Sequence, residues 1–150
     1  MSSFRRGTWT NWAGNQSATP SAVHLPRDQE EVSTIVRRAA EARRTVKAIG
    51  SGHSFTSTAV TDGEMIRLDH LRRLVAVDRA ASTVTVEAGI TIADLNELLH
   101  GLGLAMPNLG DIAYQTISGA IATGTHGTGR ALTGIAAQVV AMRVVAGDGS

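Results

Sequence analysis

A short apolar run, Val46-Lys47-Ala48-Ile49, feeds directly into the turn Gly50-Ser51-Gly52-His53-Ser54-Phe55. This junction constrains the fold more than any other stretch. Glycine takes positive φ without a Cβ penalty and lets backbone approach a ligand closely. A strand that ends in such a turn presents consecutive N–H groups, and proteins hold phosphate oxygens on such rows. Gly50 and Gly52 alone are equally compatible with a plain tight turn. They lack the third glycine of a dinucleotide fold, and no Lys-Ser/Thr pair follows as in a Walker loop. The imidazole in the middle is not needed by a phosphate cradle. On the residues alone, His53 is either a hydrogen-bonded loop histidine or the purpose of the loop.

The elements around the junction read as α+β. Asp28 is placed to cap a helix after Pro26, with Glu31 as its reciprocal partner. Val32, Ile35, Val36, Ala39 and Ala40 share one face, so the helix is expected to run to Arg43 or Arg44. Val46–Ile49 reads as a buried strand, and a second, Met65–Leu68, follows the turn signal Thr61-Asp62-Gly63. Beyond His70 the runs Leu74–Val77 and Thr83–Ala88 read as a hairpin with one wet face. Thr91-Ile92-Ala93-Asp94 opens a helix in capping-box form. Its stripe is Leu95, Leu98, Leu99 and Leu102, and Gly101 and Gly103 end it. Gln138–Ala146 reads as a last strand leading into the turn signal Gly147-Asp148-Gly149. A sheet stopped in mid-hairpin suggests the front part of a longer protein.

Composition narrows the classes. Apolar residues make up 43% and charged residues 18% of the 150, which describes a globular chain. A net charge of +1 without any basic stripe argues against nucleic acid as a partner. No run approaches membrane-spanning length and no signal-peptide core is present, so the expected location is cytoplasmic. The absence of cysteine removes disulfides, iron–sulfur clusters and thiolate zinc sites. His53 and His126 without a matching acidic cluster make a poor metal site, and none is expected. Scarce aromatics beside abundant glycine and alanine suit a flat cofactor lying on main chain, or merely reflect an alanine-heavy genome.

Five segments in order alter the weight of the turn. Asn11-Trp12-Ala13-Gly14, Gly50–Phe55, Val86-Glu87-Ala88-Gly89, Pro107-Asn108-Leu109-Gly110-Asp111 and the small-residue run from Gly119 to Gly129 together resemble the vanillyl-alcohol-oxidase-like (PCMH-type) flavoproteins. Within them the resemblance is nearest to the sugar-lactone (L-gulono- and D-arabinono-1,4-lactone) and alditol oxidases, and it covers about Asn11 to Ser150.

The resemblance implies an FAD-binding domain of two subdomains with the cofactor between them. Here the small α/β lobe spans about 15–70, and a larger second lobe, a mostly antiparallel sheet with helices and incomplete, spans about 71–150. It implies that Gly50, Ser51, Gly52, His53, Ser54 and Phe55 form the pyrophosphate loop, with His53 carrying FAD covalently through the flavin 8α carbon. Asp111, Thr116, Gly119, Ala122 and Thr123 match positions that line the flavin or its phosphates. Two positions depart from the pattern: Lys47 stands where arginine is frequent, and Asp111 where alditol oxidases carry serine, which favours lactone oxidation. The implied reaction is hydride transfer from a sugar-lactone or polyol carbon to flavin N5, with oxygen or another acceptor reoxidising the cofactor. Ala88 beside Gly89 is a candidate gate for oxygen, and oxidase is favoured over dehydrogenase. The catalytic base is expected in a C-terminal cap domain outside these residues, and His126 is assigned a supporting or packing role. The alternatives are a non-covalent FAD dehydrogenase or reductase of another branch, and a non-catalytic FAD-binding module.

Overall fold

The first turn of the chain is built by Arg6 and Gly7, both at positive φ (49° and 82°), the conformation that matches the twist of a two-residue hairpin. It joins β1 (Ser3–Arg5) to β2 (Thr8–Thr10), and β3 (Ser17–Ala18) completes an antiparallel sheet in the order β1-β2-β3. The computed structural model describes residues 2–150. Trp9 faces Phe4 on one side and Ala18 on the other, and it is fully buried. This sheet has no counterpart in the sequence reading.

A second sheet is wholly parallel. β4 (Ala22–His24) leads into α1 (Gln29–Glu41), which returns the chain to β5 (Val46–Ile49), and β6 (Glu64–Arg67) inserts between the two strands. The Asp28 carboxylate accepts from the Glu31 N–H at 2.8 Å, as the capping box requires. The return bond, however, runs from the Arg27 N–H to Glu31 at 2.8 Å, one residue before the cap. The helix ends at Glu41 rather than at Arg43 or Arg44, because Arg43 takes the left-handed region (φ 54°) and closes the last turn. The strand expected at Met65–Leu68 lies one residue earlier, and only Ile49 of β5 is fully buried. Trp9, Ala18, Ile49 and Met65 make one core, so the two sheets share an apolar centre. Glu64 is almost enclosed, and its carboxylate is met by His24 Nε2 at 2.8 Å and Arg44 Nη1 at 3.4 Å. A buried carboxylate needs such partners.

The chain up to His70, together with Arg143–Ser150, forms this first compact unit, and Leu71–Met142 forms a second. In the second, β7 (Leu74–Asp78) and β8 (Thr83–Val86) pair antiparallel with an irregularity between Leu74 and Ala76. Arg73 clamps Glu87 through Nη2 at 2.7 Å and Nε at 3.0 Å, which holds that carboxyl below its usual range. α2 (Ile92–Gly101) is capped by the Thr91 hydroxyl, which accepts from the Asp94 N–H at 3.1 Å. Leu95 and Leu99 join Ile90 in a core completed by Val84, Val86, Leu98 and Ile117.

The glycine–threonine run contains a helix the sequence pattern concealed, α3 (Ile117–Ala122). Ala120 is its buried residue, packed with Ile92 and Ile135. The strand expected at Gln138–Ala146 is absent. Ile135–Gln138 winds into a 3-10 turn, and no strand among the described residues pairs with residues 139–146. Val140, Met142 and Val144 are consequently exposed. The turn signal at Gly147-Asp148-Gly149 is kept, with the Gly149 N–H donating to Ala146 at 2.9 Å. No helix among the described residues is long and apolar enough to cross a membrane.

Candidate functional site

Strand β5 delivers the Gly50–Phe55 loop against the segment Asn11–Gln16. Gly52 is required twice over: its φ is +69°, and a Cβ there would meet the Ser2 Cβ at 2.6 Å. Each carbonyl that the loop spends on the protein is taken by a residue from the chain's first sixteen. Ser51 O accepts from the Ser2 N–H at 3.3 Å, and Gly52 O from the Trp12 N–H at 2.8 Å. Ser54 O accepts from Asn11 Nδ2 at 2.9 Å, and Phe55 O from Asn15 Nδ2 at 3.1 Å and Gln16 Nε2 at 3.3 Å.

Asn11 is the pivot of this clamp. It is buried, its Nδ2 also donates to Asn15 Oδ1 at 2.7 Å, and its Oδ1 accepts from the Gln16 N–H at 3.1 Å.

The clamp fixes which way the peptides face. In a planar trans peptide the carbonyl and the following N–H point in opposite directions, and no cis bond occurs among the described residues. With the carbonyls of Ser51, Gly52 and Ser54 turned to the clamp, the N–H groups of Gly52, His53 and Phe55 turn away from it. Among the described residues none of these three N–H groups has an acceptor. A row of outward N–H groups free of internal partners is an anion cradle.

His53 stands in the middle of that row, half-buried. Its ring stacks on Trp12, with centroids 5.6 Å apart and planes at 29°, and Phe55 meets Trp12 edge-on at 6.2 Å. Nε2 is buried without a hydrogen-bond partner among the described residues, whereas Nδ1 is not enclosed. Desolvation lowers the imidazole pKa below its ordinary value, so the neutral, nucleophilic form is favoured.

The remaining sequence-derived positions belong to the second unit. Thr116 caps α3, its hydroxyl accepting from the Gly119 N–H at 3.3 Å, and the Thr123 hydroxyl donates to Gly119 O at 2.8 Å. Thr116, Gly119 and Thr123 thus bind one another, and Ala122 and Thr123 are exposed. Opposite the buried Ala120, this helix carries the small residues Ser118 and Ala122. Asp111 is an exposed loop residue of the same unit with no side-chain partner among the described residues. The structure therefore assembles Gly50–Phe55 as one group and Thr116, Gly119, Ala122 and Thr123 as another.

His126 is exposed and its Nδ1 bonds to Gly127 O at 2.9 Å. Ala88 is exposed, and its carbonyl accepts from the Ser118 N–H at 3.3 Å. No three His, Asp or Glu side chains converge among the described residues. The clamp residues Asn15 and Gln16 escaped sequence reasoning altogether, and Asn11 and Trp12 were noted without a role. Their partners lie about forty positions away, and no local signal marks that pairing.

The chain is similar in sequence to several known proteins. An L-gulono-1,4-lactone dehydrogenase from Mycobacterium tuberculosis is 41% identical over 141 residues, covering 94% of this chain and 33% of the relative. An L-gulonolactone oxidase from Scyliorhinus torazame is 40% identical, over 93% and 32%. An alditol oxidase from a Streptomyces species is 40% identical, over 94% and 34%. The chain spans about a third of the length of these relatives. Among solved structures, a solvent-stable cholesterol oxidase superposes with a TM-score of 0.72 at 23% identity, over 85% of this chain and 25% of that one. Such a likeness speaks for the fold alone. Residues 20–150 match the FAD binding domain family along their whole length, and the chain belongs to that family.

Proposed function

We propose that this chain is the FAD-holding part of an oxidoreductase that oxidises a hydroxyl-bearing carbon of a sugar lactone or polyol. The observation that carries the reading is the cradle at Gly52, His53 and Phe55, turned outward by the Asn11–Gln16 clamp. Three unspent N–H groups suit the oxygens of a pyrophosphate, and the small-residue face of α3 suits a flat ring. The residues present therefore fit FAD. When bound, FAD supplies a two-electron acceptor for the substrate's hydride.

The chain's own residues do the holding. Gly52, His53 and Phe55 donate main-chain hydrogen bonds, which bind an anion without bringing a flexible cationic side chain near the chemistry. Asn11 keeps the Phe55 donor aimed through Ser54 O, as the Ser2 and Trp12 N–H groups do for the Gly52 and His53 donors. His53 is the covalent attachment residue through Nδ1, its open nitrogen, and the lowered pKa favours the neutral imidazole that attachment needs. Thr116, Gly119, Ala122 and Thr123 supply a second, bulk-free surface, and Asp111 lies upstream of it. The two subdomains of the proposed FAD domain correspond to the two compact units, the first of which takes back Arg143–Ser150.

The relatives named above act, by name, on L-gulonolactone or alditols, which supports the substrate class. They divide between dehydrogenase and oxidase, so the electron acceptor is a distinct question. The methyl group of Ala88 favours hindered oxygen access, and the overall resemblance favours oxidase. The test uses full-length protein denatured in acid and separated on a gel under ultraviolet light. Flavin fluorescence is expected to stay with the polypeptide and to be lost in His53→Ala. Free flavin from the wild type would remove the covalent link. A panel of aldonolactones and alditols, run with oxygen and with an artificial acceptor, tests the activity. Turnover of neither class would overturn the substrate reading.

A further inference from the structure

Trp12 is unusual for a large aromatic. It is 53% exposed while Trp9, three residues earlier, is fully buried in the core. Leaving that much apolar surface in water forgoes burial free energy, so core packing does not explain its position. Its backbone is fixed by the N–H bond to Gly52 O at 2.8 Å, which sets the point from which the indole leaves the chain. From there the ring lies along the His53 imidazole, and Phe55 meets it edge-on. Among the described residues the imidazole has no hydrogen bond to hold it, and its Nε2 is enclosed without a partner.

We infer that Trp12 is a positioning residue for His53, whose ring it holds by stacking so that Nε2 stays inside and Nδ1 is the nitrogen presented for attachment. The inference rests on the reading of His53 as the attachment residue. In that step Nδ1 forms a bond to the flavin 8α carbon. One proton leaves the 8-methyl group and one leaves the imidazole. The electron pair of the broken C–H bond passes to the flavin ring with two protons, and dioxygen removes both electrons and both protons as hydrogen peroxide. Stacking of an aromatic pair contributes only modestly to stability. Its effect on orientation is larger, since a misplaced reacting atom slows a reaction roughly a hundredfold.

The experiment loads flavin-free full-length protein with FAD and follows in-gel fluorescence over time for wild type, Trp12→Ala, Trp12→Phe and His53→Ala. In parallel, NMR follows the His53 ring titration without flavin. Trp12→Ala is expected to slow attachment roughly tenfold to a hundredfold, and Trp12→Phe to restore most of the rate. The His53 midpoint is expected to rise toward the ordinary histidine value in Trp12→Ala alone. Attachment at the wild-type rate in Trp12→Ala, or an unchanged midpoint, overturns the inference. So does a Trp12→Ala protein that no longer unfolds cooperatively, because that is a structural role. A wild type that never attaches flavin defeats the reading of His53 itself, and the titration then decides alone whether Trp12 positions the ring.

Discussion

Asn11→Ala separates holding the loop from merely filling space. The side chain is 4% exposed and makes three hydrogen bonds, to Ser54 O, Asn15 Oδ1 and the Gln16 N–H. Truncation strands the Ser54 carbonyl and the Gln16 N–H, both half-buried, while exposed Asn15 turns to water. Each stranded group costs about 1 kcal/mol or somewhat more, so urea unfolding should show a loss of about 2–3 kcal/mol. Freeing the Ser54 carbonyl also frees the peptide that aims the Phe55 N–H. A hydrogen bond to a charged acceptor contributes about 1.5–3 kcal/mol, which corresponds to roughly tenfold to a hundredfold in affinity. ADP carries the pyrophosphate without the flavin, so calorimetric titration of flavin-free protein with ADP measures that term directly. Asn11→Asp retains the acceptor for Gln16 but turns an oxygen toward Ser54 O, and it should bind ADP no better than the alanine variant. Asn15→Ala is the control. It shares the Phe55 carbonyl with Gln16 and should lose less than about 1 kcal/mol. An Asn11→Ala protein with full stability and unchanged ADP affinity would refute the orientation argument.

Gly63→Ala tests the packing of the parallel sheet, because its Cβ would lie 2.2 Å from Thr45 O and 2.3 Å from Thr45 Oγ1. The strand entry must shift, at the expense of the Glu64 N–H bond to Thr45 O, and a loss of about 2–4 kcal/mol is expected in thermal or urea unfolding. A loss below about 1 kcal/mol would mean that the sheet yields freely. The Arg73–Glu87 clamp predicts a pH dependence. Because the Glu87 pKa is depressed in the folded state, its contribution is present above the unfolded carboxylate pKa and lost as pH falls through the folded one. Unfolding curves across that acidic range should be flatter in Glu87→Gln, and an unchanged slope would show that the clamp does not act through charge.

What could be read from the sequence was local. The starts of α1 and α2 are written within four residues each, as Asp28 with Glu31 and Thr91 with Asp94, and both caps form. The glycine turn after β5 is equally local. α3 was hidden because Ser118, Gly119 and Ala122 give no apolar stripe. Its hold comes from the Thr116 cap and from Ala120 against Ile92 and Ile135. The reverse error occurred at Gln138–Ala146, where β-branched residues suggest a strand but pairing needs a neighbour, and no described strand is placed to supply one. β1, β2 and β3 are two or three residues long, too short for periodicity to register. The candidate site divides the same way. Its loop was visible, and the clamp that gives the loop its direction was not.

Asn11 and Ser54 are 43 positions apart, and the cradle exists only while that long circuit is closed. Strands as short as β1–β3 are the kind that open locally before the rest of a protein does. Opening them would release the Gly52 and Ser54 carbonyls and scatter the three N–H groups, so the loop's competence and the closure of the N-terminal sheet form a single equilibrium. A ligand held only by the closed form shifts that equilibrium, by about 2.7 kcal/mol at a hundredfold excess over its dissociation constant. Loading the cofactor should therefore slow hydrogen exchange at the backbone amides of Asn11 and Trp12, which donate to Gln16 and Gly52 rather than to any ligand.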